Sequence, residues 1–180
     1  ANQTILGTIP KYGVDIQVGQ FAECYRSFSQ QDVNTFGALI GDMNPVHFPV
    51  ENDAHSIANT NMDKATTFNQ PIVHGMLLSS LFSAIFGTLI PGAIYRKQYL
   101  KFSNPVLIGE DVVGRVTIRK LKHINRSESG VLCICDTVVA RSTYRELPTN
   151  YELSGHDNND EVIAISGEAQ VWLPGASVKK

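Results

Sequence analysis

No apolar run in this 180-residue chain reaches the roughly 18 residues that a membrane helix needs. The nearest, from Met76 to Ile90, is interrupted by Ser79, Ser80, Ser83, Gly87 and Thr88. An excess of positive charge is missing too: the formal net charge is −2, so the balance implies no basic face for nucleic acid. Cysteine is scarce, and Cys24, Cys133 and Cys135 are too few for a disulfide framework. Cys133 and Cys135 alternate within an apolar run, so they share one face of a predicted strand. They read as buried free thiols, which fits a reducing compartment: cytoplasmic, mitochondrial or peroxisomal. The first residues carry no signal-like pattern. The chain also lacks a Gly-x-Ser-x-Gly elbow, a phosphate loop and a dinucleotide fingerprint. A nucleophilic hydrolase is therefore disfavoured, and no nucleotide site is marked.

What is present is a chain with the hydrophobic and charged fractions of a soluble globular protein, 43% and 18%. Its length suggests one domain over residues 1–180, with a substantial core. Residues 1–19 read as an irregular lead-in and 20–28 as a strand. Ser29 looks like a helix N-cap, with Asp32 in the capping-box position. Val33, Phe36, Gly37 and Ile40 then follow at helical spacing. Residues 71–90 form the strongest helical pattern, in which Leu77, Leu78, Leu81, Phe82, Ile85, Phe86 and Leu89 make a wide apolar face. A helix this apolar must be wrapped. Residues 94–102, 111–124, 131–147 and 162–173 are rich in β-branched and aromatic residues and read as long strands. The fold class expected is α+β, with an antiparallel sheet around one central helix.

The chemistry centres on Gly41-Asp42-Met43-Asn44-Pro45-Val46-His47. Positions five apart on a helix lie roughly 140° apart, so a helix would not aim Asp42 and His47 at one point. Pro45 disfavours the α conformation at Asn44, and Gly41 permits a sharp turn, which makes the stretch a shaped loop. Two ionisable side chains can converge from such a loop. The same composition also suits an ordinary helix-ending turn, with Asp42 and Asn44 bonded to nearby backbone.

Two stretches carry a family resemblance. The first runs from Phe36 through Gly41, Asp42, Asn44 and Pro45 to His47. The second is Pro71-Ile72-Val73-His74-Gly75-Met76-Leu77-Leu78-Ser79-Ser80-Leu81-Phe82-Ser83. In this order they resemble the MaoC-like, (R)-specific enoyl-CoA hydratases, over about residues 18–174. Residues of about 50–69 and 144–161 look like insertions relative to compact members. The resemblance implies a hotdog fold, in which a curved antiparallel sheet wraps a long helix. It also implies a homodimer, an enoyl-CoA or enoyl-carrier-protein substrate, and no cofactor.

The reaction so implied adds water across the double bond of a trans-2-enoyl thioester. A carboxylate accepts hydrogen bonds and an imidazole donates or accepts, so Asp42 and His47 can orient one water. Asp42 is the expected principal base, and His47 is expected to assist protonation at carbon 2; the opposite division stays open. Asn44 can hold the loop through backbone bonds. Gly75, at the head of the central helix, can present its N–H to the thioester oxygen. Ser83, two turns on, is by resemblance a supporting polar group, and on physical grounds alone a small packing residue. His74 with Asp42 and His47 makes a donor set for iron or zinc. A structural hydrogen bond suffices for His74, however, and no metal is expected. Arg96, Lys97 and Lys101 could meet the phosphates of coenzyme A, or form a solvated face. The alternatives are a carrier-protein dehydratase, a hotdog thioesterase and a non-catalytic acyl-binding subunit.

Overall fold

The computed structural model describes residues 5–49, 70–123, 130–141 and 161–179. The elements in chain order are β1 (Ile5–Gly7), β2 (Phe21–Ser27), α1 (Gln30–Ile40), α2 (Gly75–Leu89), β3 (Ile94–Phe102), β4 (Asp111–His123), β5 (Gly130–Arg141) and β6 (Val162–Pro174). The strands form one sheet in the order β1-β2-β4-β5-β6-β3, with every neighbouring pair antiparallel. One extra residue interrupts the register at Arg96, Arg119 and Ala164. Such bulges bend and twist a sheet, which lets it curl around a helix.

That helix is α2. Its buried residues are Leu78, Leu81, Phe82, Ile85, Phe86 and Leu89. They meet the inward residues of the strands, among them Val116 on β4, Val139 on β5 and Val171 on β6. Each such side chain contributes roughly 1.5–3 kcal/mol of burial energy, so α2 is held by the sheet more than by its own propensity. The wrapping is incomplete. Met76, Ser80, Ser83 and Gly87 recur at helical spacing and are exposed. Cys24, Cys133 and Cys135 are buried. Among the described residues no helix is long and apolar enough to cross a membrane.

Two expectations shift. The lead-in contains a strand, β1, which pairs with Ala22, Glu23 and Cys24 of β2. The central helix begins at Gly75 rather than Pro71. The Ile72 backbone bridges to Leu107, and the Val73 N–H donates to the Val106 carbonyl, so tertiary pairing overrides the helical spacing there. Strand β5 is described only to Arg141. The two stretches expected as insertions lie outside the described residues, apart from Glu161.

Candidate active site

Helix α1 delivers the reactive loop. Ser29 and Asp32 close a reciprocal capping box at its start. The Ser29 backbone N–H is the main cause of a lowered Asp32 pKa. At its end Gly41 adopts a left-handed φ of 78°, and its N–H donates to the Gly37 carbonyl at 2.8 Å. This is a conformation in which glycine carries no Cβ penalty. The chain then turns on local bonds. Asn44 N–H donates to Asp42 Oδ1 at 3.2 Å, and Val46 N–H donates to Asn44 Oδ1 at 3.3 Å. A 3₁₀ turn over Pro45–His47 follows. From α1, Gln30 Nε2 donates to the His47 carbonyl at 3.0 Å, which ties the far end of the loop back to the helix.

Three side chains meet at the end of this path. Asp42 Oδ2 lies 3.8 Å from His47 Nε2 and 3.8 Å from His74 Nε2. His47 and His74 are buried, while the Asp42 side chain is 43% exposed. His47 Nδ1 is 2.8 Å from the Ile72 carbonyl. A carbonyl only accepts, so Nδ1 carries the proton, and neutral His47 presents a lone pair on Nε2. His74 Nε2 is 3.3 Å from the Asp42 carbonyl and by the same argument is the donor. Its Nδ1 is buried and has no hydrogen-bond partner among the described residues. Protonating His74 would bury an unpaired N–H, and burial is the main cause of its lowered pKa.

A gap of 3.8 Å is too long for a direct hydrogen bond. It is short enough for one water to donate a hydrogen to each of two acceptors, the Asp42 carboxylate and His47 Nε2. Such a water keeps its own lone pairs free for attack.

His74 immediately precedes Gly75, so the first turn of α2 starts beside this cluster. His74 makes no side-chain cap, which leaves the first N–H groups of α2 outward-facing donors. A Cβ on Gly75 would stand 2.5 Å from Phe102 Cε1 and 2.8 Å from Cδ1. The glycine is thus needed by Phe102 of the same chain as well as by any incoming carbonyl. Ser83 is carried about 12 Å along the helix from Gly75, on the exposed stripe. Arg96, Lys97 and Lys101 are exposed on β3. His123 is also exposed, while His55 and His156 lie outside the described residues.

Among the described residues, one group has metal-ligand spacing: Asp42, His47 and His74, with ligand atoms within 4.8 Å. The geometry suits a metal poorly. The two imidazoles stack at 3.7 Å with planes 24° apart. A metal binds in the plane of each ring, and stacked planes do not meet at one nearby point.

Several contributors are not among the predicted site residues, although Phe36, Gly37 and Ile72 lie within the two stretches that carry the family resemblance. Phe36 packs against the His74 ring at 5.3 Å between centroids. Gly37 leaves room for the loop, since a Cβ there would stand 2.9 Å from the Asp42 carbonyl oxygen and 3.5 Å from His74 Cε1. A glycine inside a helix costs about 1 kcal/mol against alanine, and that cost is a physical signal that could have marked Gly37. Gln30, the Ile72 carbonyl and Phe102 had no such signal.

A sheet curled on a buried helix, with its reactive loop beside the helix head, is the hotdog arrangement shared with solved relatives. Residues 3–134 match the family model described as MaoC like domain, and the chain belongs to that family. An (R)-specific enoyl-CoA hydratase of Aeromonas caviae is 38% identical over 161 residues, 88% of this chain and 96% of that protein. A mitochondrial 3-hydroxyacyl-acyl-carrier-protein dehydratase of Solanum lycopersicum is 34% identical over 162 residues, 88% of this chain and 78% of that protein. An unliganded R-hydratase from Pseudomonas aeruginosa superposes with a TM-score of 0.63 at 26% identity, covering 97% of this chain and 90% of that one.

Proposed function

We propose that the chain is a hydro-lyase that adds water to trans-2-enoyl thioesters, giving (3R)-3-hydroxyacyl thioesters, and that it runs the reverse dehydration with the same groups. The observation that carries this is the pair of acceptors, Asp42 Oδ2 and His47 Nε2, 3.8 Å apart beside the head of α2. The (R) outcome rests on the likeness to the Aeromonas caviae hydratase. Water, held by its two hydrogens, attacks carbon 3. Charge moves onto the thioester oxygen, where the Gly75 N–H and the helix dipole stabilise it. One hydrogen stays on the new hydroxyl. The other passes to Asp42 or His47 and from there to carbon 2, so the net addition is H and OH. Neutral His47 has no proton on Nε2 to give, so any proton it delivers is one it has just taken from the water. Asn44 positions the loop, and His74 holds it from below.

The carrier-protein dehydratase is the same chemistry run in reverse on another thioester, and the Solanum lycopersicum relative favours keeping it. The partner that fits the protomer surface is a second copy of the chain. Strand β3 ends the sheet, and Ile94 on it and Met76 on α2 are each 58% exposed. The assay is enoyl absorbance loss with crotonyl-CoA and longer enoyl-CoA, followed by product chirality. The expected product is the (3R) alcohol. Release of free coenzyme A without hydration would replace this reading with a thioesterase.

A further inference from the structure

Phe102 is an apolar side chain with no place in the core. It is 54% exposed and stands outside the buried cluster. Its backbone is nevertheless pinned. Phe102 pairs with Ile165, the next residue donates its N–H to the Ala164 carbonyl at 2.8 Å, and Asn104 Nδ2 donates to the Ile163 carbonyl at 2.7 Å. The ring is thereby held against Gly75, on the side where a Cβ would project. In a helix that direction tilts toward the N-terminus, the end to which the free N–H groups also point. The ring and an incoming carbonyl therefore share one end of α2.

We propose that Phe102 is a specificity-determining residue, an apolar wall beside the Gly75 N–H that limits the bulk a thioester carries on the carbon next to its carbonyl. The inference rests on the hydratase reading given above. A carbonyl oxygen about 2.9 Å from the Gly75 nitrogen leaves its carbon one bond away, flanked by sulfur and carbon 2. Sulfur has two bonds and no branch, so carbon 2 is the flank whose size varies between substrates. A methyl on that carbon is brought toward the Phe102 ring. The same ring also sheds water from the oxyanion position, where a dry setting strengthens the hydrogen bond.

The test compares crotonyl-CoA with its 2-methyl analogue, tiglyl-CoA, on the unchanged protein, Phe102→Leu and Phe102→Ala. One methyl group in an apolar site discriminates by roughly 10–200-fold. The ratio of kcat/KM for crotonyl over tiglyl should fall about ten-fold or more in Phe102→Ala, with Phe102→Leu between. Because Phe102 lies outside the core, both variants should keep the thermal transition of the parent. If Phe102→Ala loses it, Phe102→Leu carries the comparison. An unchanged ratio in a folded, active variant overturns the wall and leaves the hydratase reading standing. Failure of the unchanged protein to hydrate crotonyl-CoA overturns the reading and the wall with it. A separate measurement reads the contact directly: Gly75→Ala should lower the thermal midpoint, and adding Phe102→Ala should restore it. No recovery would remove the contact that the proposal stands on.

Discussion

The imidazole of His47 lies face to face with that of His74, centroids 3.7 Å apart, with one carboxylate, Asp42, at the edge of both. Two stacked cations beside a single anion would repel, and among the described residues His74 has no acceptor for a second N–H. The arrangement therefore favours a neutral His74, whose ring serves as a fixed floor for His47.

A pH dependence follows from that floor. Burial chiefly pushes His74 below the ordinary histidine value of about 6.5. Between the folded and unfolded values the unfolded chain binds more protons, so stability rises with pH. His74's contribution is complete above about pH 6.5 and is lost as pH falls toward the folded value. The denaturant midpoint should drop between pH 7 and 5 at fixed protein concentration. In His74→Gln the drop should be smaller. An equal drop in the variant would show that other groups set it.

The dyad itself is tested by Asp42→Asn and His47→Gln. General acid–base groups typically contribute about 10²–10⁴-fold in rate, and kcat should fall within that range. Both variants should remain folded. Asn can still accept the Asn44 N–H, and Gln can still donate toward the Ile72 carbonyl, the two bonds that the native side chains make. A near-native rate in either variant removes that residue from the reaction.

Gly37→Ala separates placement from stability. The added methyl meets the Asp42 carbonyl oxygen at 2.9 Å, a backbone atom that moves only with the loop. Overpacking costs about 1–3 kcal/mol, while alanine returns about 1 kcal/mol of helix propensity. The net is about 0–2 kcal/mol of destabilisation, so the thermal midpoint should fall by several degrees at most. The displaced loop should still lower kcat more than ten-fold. A stable variant with full activity would show that the loop tolerates the shift.

Much of this site was legible because its parts are local. Ser29 and Asp32, Gly41 and its turn, and the Asp42–His47 spacing all sit within one helix and one loop. Propensity and turn chemistry act at that range. What escaped depends on chain segments far apart. The Pro71–His74 lead continued a helical apolar pattern, yet Ile72 and Val73 were taken by pairing with Leu107 and Val106. Strand β1 is three residues long and exists through its ladder with β2. The His47–His74 stack and the seat of Phe102 on Gly75 join elements with no shared spacing, so no periodicity marks them. Gly75 shows the difference most clearly. Its place at a helix head was readable, but the ring that demands its missing Cβ was not.

The association state can be argued from another glycine. Gly87 sits inside α2, where glycine costs about 1 kcal/mol against alanine. Yet among the described residues a Cβ there would meet nothing within 4 Å, so they give it no steric use. It lies on the exposed stripe with Met76, Ser80 and Ser83, close in kind to the small-residue faces that let another surface approach. Strand β3, the sheet edge, offers exposed Ile94 and Tyr99 for the same purpose. A two-fold pairing of copies would cover both. Sedimentation equilibrium should therefore give twice the chain mass of 19.8 kDa. Gly87→Glu adds a charge to open space in the protomer and should leave the fold intact while shifting the population to monomer. A parent chain that sediments as a fully active monomer would contradict the pairing. A Gly87→Glu chain that stays dimeric would move the interface off α2.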